Sequence, residues 1–488
     1  MTLHEHAELF IGGRYVRPHD PRRTVEVVNP ADELPAGSFP TAGPADVDAA
    51  VAAARGALDD RAWGGLGPVE RSALLVRFAD ALEMHLPERA ALTTLQNGMP
   101  INLALATEGA DPVGLLRYYA ALAGTMPLEE TRARLDGLGR TLVTRDPVGV
   151  VAAVVPWNFP QTLTMFKLAP ALAAGCSVVL KPAPETTLDA YALADAARCA
   201  GLPPGVLNVV PGGADVGEHL IAHPGIGKVA FTGSTATGRR IGEVCGSLLR
   251  PVSLELGGKS AAILLDDADL EVFVTRLAKV SLLNNGQTCH LSTRILVPRA
   301  RHDAVAEAVG AVAAALAVGD PMDPATELGP LVSRRQRDRV ESCISEAKAV
   351  GTSVVTGGGP RPRDRGWFVS PAVFADVDNG APLAREEVFG PVLALIPYGD
   401  VDEAVRIAND SPYGLAGTVW SSDPEHGLAV ARRVRTGTIG INDYSIDVGA
   451  PFGGIKASGL GRELGPEGLA AFTCPKSIYL AANRPSAD

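Results

Sequence analysis

The sequence predicts an α/β protein built around a parallel sheet that is covered on both faces. From residue 148 onward, short apolar runs alternate with segments of helical periodicity. The runs contain few polar residues, and such strands are buried on both sides because the crossover helices of a parallel sheet cover its two faces. The predicted elements alternate, beginning with a strand, in this order: 148–155, 162–174, 177–180, 188–199, 206–210, 215–222, 228–231, 237–245 and 252–254.

The remaining segments extend this plan in chain order. Residues 9–16 predict a small hairpin, and helical periodicity dominates from 45 to 123. Residues 140–145 alternate like an exposed strand. A second α/β series begins near Ala261 and contains the cysteine discussed below. The tail segment 475–480 also predicts a strand, for which we consider another subunit as the pairing partner.

Composition limits the class of protein. With 488 residues the chain exceeds one ordinary core, so we expect two or three domains. The formal net charge of −11, without a long Lys/Arg block, argues against binding nucleic acid or an anionic membrane. We expect no secretion signal and no membrane span. The chain has six cysteines and no CxxC pair, which favours the reducing cytoplasm. It also has no HExxH motif, so we expect no metal site.

Cys289 is the candidate nucleophile. It ends the turn Gly286-Gln287-Thr288-Cys289, where backbone N–H groups could point at the sulfur. Such donors lower the pKa of a thiol and favour the thiolate. The alternative is a small buried apolar residue, which is our interpretation of the other five cysteines. His290 adjoins it, but adjacent side chains normally point apart, so we do not favour a Cys–His dyad.

Two polar residues are candidates for the rest of the chemistry. Glu255 follows an apolar strand and precedes a pair of glycines, at the rim where α/β enzymes place their sites. It could activate water for thioester hydrolysis, or it could be a surface carboxylate that caps a loop. Asn158 lies in a loop fixed by Pro156 and Pro160, which preorganises its amide to hold an oxyanion. The alternative for Asn158 is a simple turn.

A phosphate-binding loop is the third candidate feature. Residues 231–238, FTGSTATG, follow a strand and open a helix, as a pyrophosphate site requires. They lack the usual spacing of the first two glycines in G-x-G-x-x-G, so an ordinary dinucleotide fingerprint is absent. Lys181 ends the preceding strand and could reach a ribose or phosphate oxygen, or it could simply be solvated.

Taken together in this order, the motifs resemble the aldehyde dehydrogenase superfamily over nearly the whole chain. They are Pro156-Trp157-Asn158-Phe159-Pro160, Phe231-Thr232-Gly233-Ser234-Thr235, Glu255-Leu256-Gly257-Gly258-Lys259, Gly286-Gln287-Thr288-Cys289, Glu386-Glu387-Val388-Phe389-Gly390-Pro391 and Pro451-Phe452-Gly453-Gly454-Ile455-Lys456-Ala457-Ser458-Gly459.

The resemblance implies a role for each matched residue. Cys289 attacks the aldehyde, Asn158 and the Cys289 backbone N–H hold the oxyanion, and Glu255 activates the water that cleaves the thioester. Lys167 and Glu463 support Asn158 and a proton relay. The implied cofactor contacts are Val154, Val155, Pro156, Trp157, Lys181, Gly212, Thr232, Gly233, Ser234, Leu256, Gly257, Gln336, Glu387 and Phe389. The implied substrate tunnel is lined by Leu163, Phe166, Thr288, Ile446 and Phe452.

The resemblance also implies a domain plan and an assembly. The NAD(P)-binding domain would comprise residues 1–124 and 148–257, and the catalytic domain 258–473. The family fold places a small bridging sheet in segments 125–147 and 474–488, which implies a homodimer or homotetramer.

Two departures from the family pattern bear on the cofactor. Many NAD-preferring members carry Glu three residues after the lysine, where this chain has Pro184, with Glu185 one step on. The absence of a carboxylate at this position removes repulsion against a 2′-phosphate, so we expect NAD with detectable use of NADP. Ala236 also replaces a Glu that is common in the phosphate motif.

The predicted activity is oxidation of an aldehyde to a carboxylic acid with NAD(P). The matched tunnel residues are largely apolar and include no Arg or Lys, which favours an aliphatic, terpenoid or aromatic aldehyde. Two alternatives are a CoA-acylating semialdehyde dehydrogenase, whose members usually lack the carboxylate matched by Glu255, and a catalytically inactive binding homologue, against which the intact Cys289 and Asn158 argue.

Overall fold

Four sheets organise residues 3–481, the part of the chain that the computed structural model describes. The strands in chain order are β1 (His4–Glu5), β2 (Leu9–Ile11), β3 (Arg14–Val16), β4 (Thr24–Val28), β5 (Pro35–Pro40), β6 (Glu129–Ala133), β7 (Gly139–Pro147), β8 (Val150–Val154), β9 (Ser177–Lys181), β10 (Leu207–Val209), β11 (Lys228–Thr232), β12 (Val252–Glu255), β13 (Ala261–Leu264), β14 (Arg294–Pro298), β15 (Ser353–Thr356), β16 (Ala372–Ala375), β17 (Val392–Tyr398), β18 (Gly417–Trp420), β19 (Gly440–Ile441), β20 (Gly459–Leu460) and β21 (Thr473–Ala481).

Helices connect and cover these strands. They are α1 (Pro44–Asp59), α2 (Pro68–Glu83), α3 (Leu86–Asn97), α4 (Ile101–Ala104), α5 (Asp111–Thr125), α6 (Pro160–Ala173), α7 (Leu188–Cys199), α8 (Ala214–Ala222), α9 (Thr235–Ser247), α10 (Leu270–Ser281), α11 (His302–Ala315), α12 (Arg334–Ala349), α13 (Pro382–Arg385), α14 (Val401–Asn409), α15 (Pro424–Ala431) and α16 (Gly465–Ala470). A π-helical segment, Leu105–Ala110, joins α4 to α5. Within residues 3–481, none of the helices combines the length and the apolar character that crossing a bilayer requires.

The eight-stranded sheet has the order β20-β12-β11-β8-β9-β10-β2-β3. Its five central strands, β8 to β12, run parallel, and they match the strands predicted between 148 and 254. From β8 the chain moves to β9 and β10, and it then returns to the other side of β8 with β11 and β12. Such a reversal of strand order leaves a crevice at the carboxyl ends of the central strands.

Both faces of this sheet are covered, as predicted. Successive residues of a strand point to opposite faces. Val151 and Ala153 of β8 join one core cluster with residues of α2, α5, α6 and α7, whereas Val150 and Ala152 join another with residues of α1, α8 and α9. The α/β class with a doubly covered parallel sheet is therefore confirmed.

The seven-stranded sheet has the order β15-β16-β17-β14-β13-β18-β19, and all its pairs except β15–β16 are parallel. It begins at Ala261, as the sequence predicts. Ala261 and Ile263 point into one core cluster and Ala262 and Leu264 into the other. The loop that carries Cys289 lies between α10 and β14 of this sheet.

The two small sheets lie outside this pair. β21 pairs with β7 of the same chain, from Thr473 opposite Pro147 to Ala481 opposite Gly139, and β6 completes that sheet. The strand predicted at 475–480 is confirmed, and within the chain it pairs with β7 and forms the edge of its sheet. The last part of the predicted bridging segment, 482–488, lies outside the described residues. The other small sheet has the order β1-β5-β4.

Candidate active site

The Cys289 loop is shaped by three consecutive residues in the left-handed region. Asn284, Asn285 and Gly286 have φ values of 51°, 60° and 76°. Asn and Gly tolerate this region best, so the Asn-Asn-Gly run makes the sharp turn possible. The Asn285 amide then fixes the turn, because its Nδ2 donates to Gly98 O at 3.0 Å and its Oδ1 accepts from Gly329 N at 2.7 Å. The nucleophile candidate is thus held on a rigid loop.

Cys289 keeps some accessible surface although it lies deep in the protein. Burial, together with smaller effects of the carboxyl groups of Glu387 and Glu255, raises the pKa of its thiol to about 12. The backbone N–H groups of Cys289 and His290 act in the opposite direction, but their effect is smaller. The predicted lowering of the thiol pKa is therefore wrong for the protein alone, because the sequence showed the donors but not the depth or the two carboxylates.

Asn158 lies between β8 and α6, two residues before the helix begins, and its amide faces the Cys289 loop. Its Nδ2 donates to Gln287 O at 3.0 Å. Two other side-chain amides hold the backbone of the loop that contains Asn158. Asn97 Nδ2 donates to Trp157 O at 2.6 Å, and Asn284 Nδ2 donates to Asn158 O at 2.8 Å. Asn158 Nδ2 carries a second hydrogen that this bond to Gln287 O does not use.

Glu255 is the last residue of β12 and is 3% exposed. Neither carboxylate oxygen has a hydrogen-bond partner of good geometry among residues 3–481, although the backbone N–H of Gly454 is close enough to lower the pKa of the group slightly. Burial raises the pKa of Glu255 well above its usual value, the negative charge of Glu463 raises it further, and Lys167 lowers it. Buried carboxyl groups that make few hydrogen bonds and have a strongly shifted pKa are typical of functional sites.

Lys167 and Glu463 form a buried ion pair beside Glu255. Lys167 Nζ lies 2.8 Å from Glu463 Oε1, and their side chains are 0% and 3% exposed. Lys167 also donates to Thr232 Oγ1 at 2.6 Å. The structure thus links α6, the end of β11 and the segment after β20 around Glu255, with donors and acceptors that can pass a proton.

The residues assigned to the cofactor gather at the crevice between β8 and β11. Those from the parallel strands all follow or end a strand at its carboxyl end: Val154, Val155, Pro156 and Trp157 at β8, Lys181 at β9, Gly212 after β10, Thr232, Gly233 and Ser234 at β11, and Leu256 and Gly257 after β12. This is the position at which open α/β sheets bind nucleotides.

The opposite wall of the crevice is the loop of Glu387 and Phe389. Glu387 Oε1 accepts from Gly258 N at 2.9 Å, and burial raises the pKa of Glu387 to about 7. The Phe389 ring meets the Trp157 ring edge-on, with centroids 5.3 Å apart. Gln336 Nε2 donates to Phe389 O at 2.8 Å, so this side chain holds the loop and is not directed into the crevice as a free donor.

Three features of the crevice fit an NAD(P) cofactor. Ser234 caps α9 by accepting from Thr237 N, and the first turn of a helix presents N–H groups to an anion. A Cβ on Gly233 would lie 2.5 Å from the Phe231 ring, so only glycine keeps the backbone of this turn in place. Burial lowers the pKa of Lys181 to about 8, and its Nζ donates to Pro182 O at 3.1 Å.

The predicted tunnel residues surround the approach to Cys289. Leu163, Phe166 and Phe452 belong to one apolar cluster, and Cys289 and Ile446 pack against it. Phe166 and Phe452 meet edge-on with centroids 6.3 Å apart. Thr288 Oγ1 donates to Leu283 O at 3.1 Å, so its hydroxyl is used within the loop. The adjoining cavity of about 140 Å³ is lined by Thr438, Ile439, Gly440, Tyr444, Ser445, Ile446, Asp447, Ala450, Pro451 and Phe452.

Sequence reasoning missed the aromatic pair beside the nucleophile. His290 stacks on Tyr444 with centroids 4.8 Å apart, and Tyr444 lines the cavity. Burial lowers the pKa of His290 to about 4, so the imidazole is neutral at pH 7. Nothing in the sequence around Tyr444 connects it with a residue about 150 positions earlier, so only the fold reveals the contact.

Comparison with known proteins places the chain among aldehyde-oxidising enzymes. The profile of the aldehyde dehydrogenase family matches residues 15–478. A geranial dehydrogenase of Castellaniella defragrans is 54% identical over 98% of this chain and 100% of its own length. A phenylacetaldehyde dehydrogenase of Pseudomonas fluorescens is 38% identical over 97% of this chain and 96% of its own length.

Solved structures share the fold. An aldehyde dehydrogenase of Mycobacterium tuberculosis, complexed with NAD⁺, superimposes with a TM-score of 0.96 at 46% identity and covers 99% of this chain and 100% of its own. Aldehyde dehydrogenase C of Pseudomonas syringae, complexed with NAD⁺ and octanal, gives 0.93 at 38% identity over 96% of each chain.

Proposed function

Because the chain belongs to the aldehyde dehydrogenase family, we propose that it oxidises a medium-sized hydrophobic aldehyde to the carboxylic acid with NAD, through a thioester on Cys289. One observation carries the proposal. The Asn158 amide donates to the carbonyl of Gln287 in the Cys289 loop, and the carboxyl of Glu255 is close enough to raise the pKa of the Cys289 thiol. A nucleophile, an oxyanion donor and a base therefore share one site.

The chemistry follows from these groups. Cys289 Sγ attacks the aldehyde carbon, and Asn158 Nδ2 together with the Cys289 backbone N–H donates to the oxyanion that forms. NAD, when bound, would supply a cationic ring that favours the nearby thiolate and an acceptor for the hydride that leaves the thiohemiacetal carbon as the thioester forms. Glu255 takes a proton from the water that attacks the thioester, after which Cys289 leaves as the thiolate. The Lys167–Glu463 pair lies beside Glu255 and can carry the proton away.

The substrate class rests on the cavity and on the relatives. The wall formed by Phe166, Ile446 and Phe452 is apolar, and the residues that line the cavity include no Lys or Arg to bind a substrate carboxylate. The 54% identical relative is named for geranial, a hydrophobic aldehyde. Rates with octanal, geranial and succinic semialdehyde test this: kcat/KM should be lowest for the semialdehyde, and the reverse order would contradict the assignment.

The cofactor is NAD, with NADP as a weaker alternative at this site. Pro184 begins the short 3₁₀ turn Pro184–Thr186 just beyond Lys181, at the position where a carboxylate would exclude a 2′-phosphate.

We further propose the domain plan and assembly implied by the resemblance. The NAD-binding part would comprise 1–124 and 148–257, the catalytic part 258–473, and the bridging segments 125–147 and 474–488. The exposed side chains of Ile478, Tyr479 and Leu480 on β21 support contact with another copy in a dimer or tetramer. Six free cysteines support a cytoplasmic location.

The decisive experiment compares two cysteine variants. Cys289→Ser should abolish both the rapid phase and the steady phase of NADH formation while NAD affinity is retained, because a hydroxyl is a far weaker nucleophile than a thiolate. Cys199→Ser, at an exposed cysteine on α7, is the control and should behave as wild type. Substantial turnover by Cys289→Ser would refute the mechanism. NADH formation that depends on added coenzyme A would instead identify the acylating reaction.

A further inference from the structure

Helix α6, which follows Asn158 and carries Lys167, is capped at its N-terminus by a residue of another element. All fourteen residues of α6 are buried, its N-cap position Phe159 provides no side-chain cap, and Pro160 opens it. The missing acceptor comes from Glu108, whose Oε2 accepts from Gln161 N at 2.7 Å. Asn158 lies two residues before the first residue of α6, and Lys167 lies on the same helix. The position of the helix start therefore decides where the oxyanion donor stands.

Glu108 reaches α6 because of an irregular turn. It lies in the π-helical segment Leu105–Ala110, and it is fully buried. A π-turn contains one residue more than an α-turn, so it redirects a side chain, and such turns are frequent at functional sites. The same segment contacts α6 a second time, because Thr162 Oγ1 donates to Thr107 O. Two groups of one π-turn thus bind the first turn of α6.

A buried arginine fixes the π-turn in place. Arg89 of α3 donates to Glu108 O at 3.0 Å and to Gly109 O at 2.7 Å, and it also donates to the Gln161 side chain. Gln161 Nε2 in turn donates to Thr93 Oγ1 at 3.0 Å. The π-turn and the start of α6 are therefore held by the same guanidinium, which leaves the helix start little freedom to shift.

We propose that Glu108 is a positioning residue for the oxyanion site, acting on Asn158 through the N-terminus of α6. The inference rests on the proposed role of Asn158. Burial raises the pKa of Glu108 well above its usual value, and the contact that caps the helix needs only one accepting oxygen. A glutamine, which keeps the accepting oxygen and the length of the side chain, should therefore replace Glu108 without loss.

The test is the rate of the rapid phase of NADH formation at saturating NAD and octanal. Glu108→Ala should lower this rate by about tenfold or more, because small misplacements of catalytic groups lower rates steeply, while NAD affinity stays unchanged. Glu108→Gln should stay within about threefold of wild type. Asp46→Ala is the matched control: Asp46 is a buried carboxyl that caps α1, on the opposite face of the sheet, by accepting from Gly43 N at 2.8 Å. It should lose stability but keep its rapid phase.

A double-mutant cycle with Asn158→Ala separates positioning from general damage. If Glu108 acts through Asn158, Glu108→Ala should slow Asn158→Ala by less than about twofold, because coupled residues are not additive. Full additivity, or a wild-type rapid phase in Glu108→Ala, would overturn the inference. A wild-type rapid phase in Asn158→Ala would instead refute the proposed oxyanion role. Should Glu108→Ala not fold, Glu108→Asp, which shortens the cap by one methylene, takes its place in the same cycle.

Discussion

Replacing Lys167 should both destabilise the protein and shift the pH dependence of its activity. Lys167→Met leaves Glu463 buried without its cation, and Glu463 Oε2 already has no partner among residues 3–481. Breaking one side of a buried ion pair costs about 3–5 kcal/mol. For a chain of this length that corresponds to a fall of about 3–5 °C in Tm. Lys167 also lowers the pKa of Glu255, so its loss should move the activity profile to higher pH.

Scanning fluorimetry and kcat at a series of pH values measure both effects. The double variant Lys167→Met/Glu463→Leu removes the uncompensated charge and should recover part of the lost Tm. The control is Lys279→Met, which breaks an ion pair with Asp443 whose side chains are 42% and 36% exposed, and whose loss should cost less than about 1 kcal/mol. A Lys167→Met variant with wild-type Tm, or a double variant no better than the single, would refute the reasoning.

Two further predictions concern the cofactor and the base. Pro184→Glu should lower kcat/KM for NADP by about tenfold, or about 1.4 kcal/mol, and leave NAD almost unaffected; an unchanged ratio of the two values would contradict the role of this position. The raised pKa of Glu255 means that the base ionises at a higher pH than an ordinary glutamate, so kcat limited by thioester hydrolysis should still rise with pH above the range in which an ordinary glutamate has ionised. A kcat that is constant from about pH 6 to pH 9 would show that a group of ordinary pKa activates the water.

The sequence predicts the central sheet and the position of the site well, for a physical reason. Buried parallel strands are continuous apolar runs, so β8 to β12 are visible without the structure. Glu255 ends one of them and Asn158 follows another, and the carboxyl ends of parallel strands meet at one edge. The sequence also predicts a turn directly before Cys289, and the structure places the left-handed residues of that turn at Asn284, Asn285 and Gly286.

What the sequence does not show depends on contacts between distant segments. The thiol pKa of Cys289 is set by burial and by Glu387 and Glu255, and local N–H donors alone suggest the wrong direction. The stack of His290 on Tyr444 likewise joins residues that are distant in the chain. Glu108 lies in a π-turn, and the sequence around it shows no signature of such a turn. The pairing of β21 with β7 joins segments that are distant in the chain, so it too depends on the fold.

The most direct test of the account is the mass of the Glu255→Gln protein after reaction with octanal and NAD. Without the base, the thioester should form and accumulate, and steady turnover should fall by roughly 10²–10⁴-fold. Intact-mass spectrometry should then show a gain equal to the aldehyde less two hydrogens, and peptide mapping should place it on Cys289. Unchanged turnover with no adduct, or an adduct on another residue, would contradict the central claim that Cys289 carries the acyl group and Glu255 releases it.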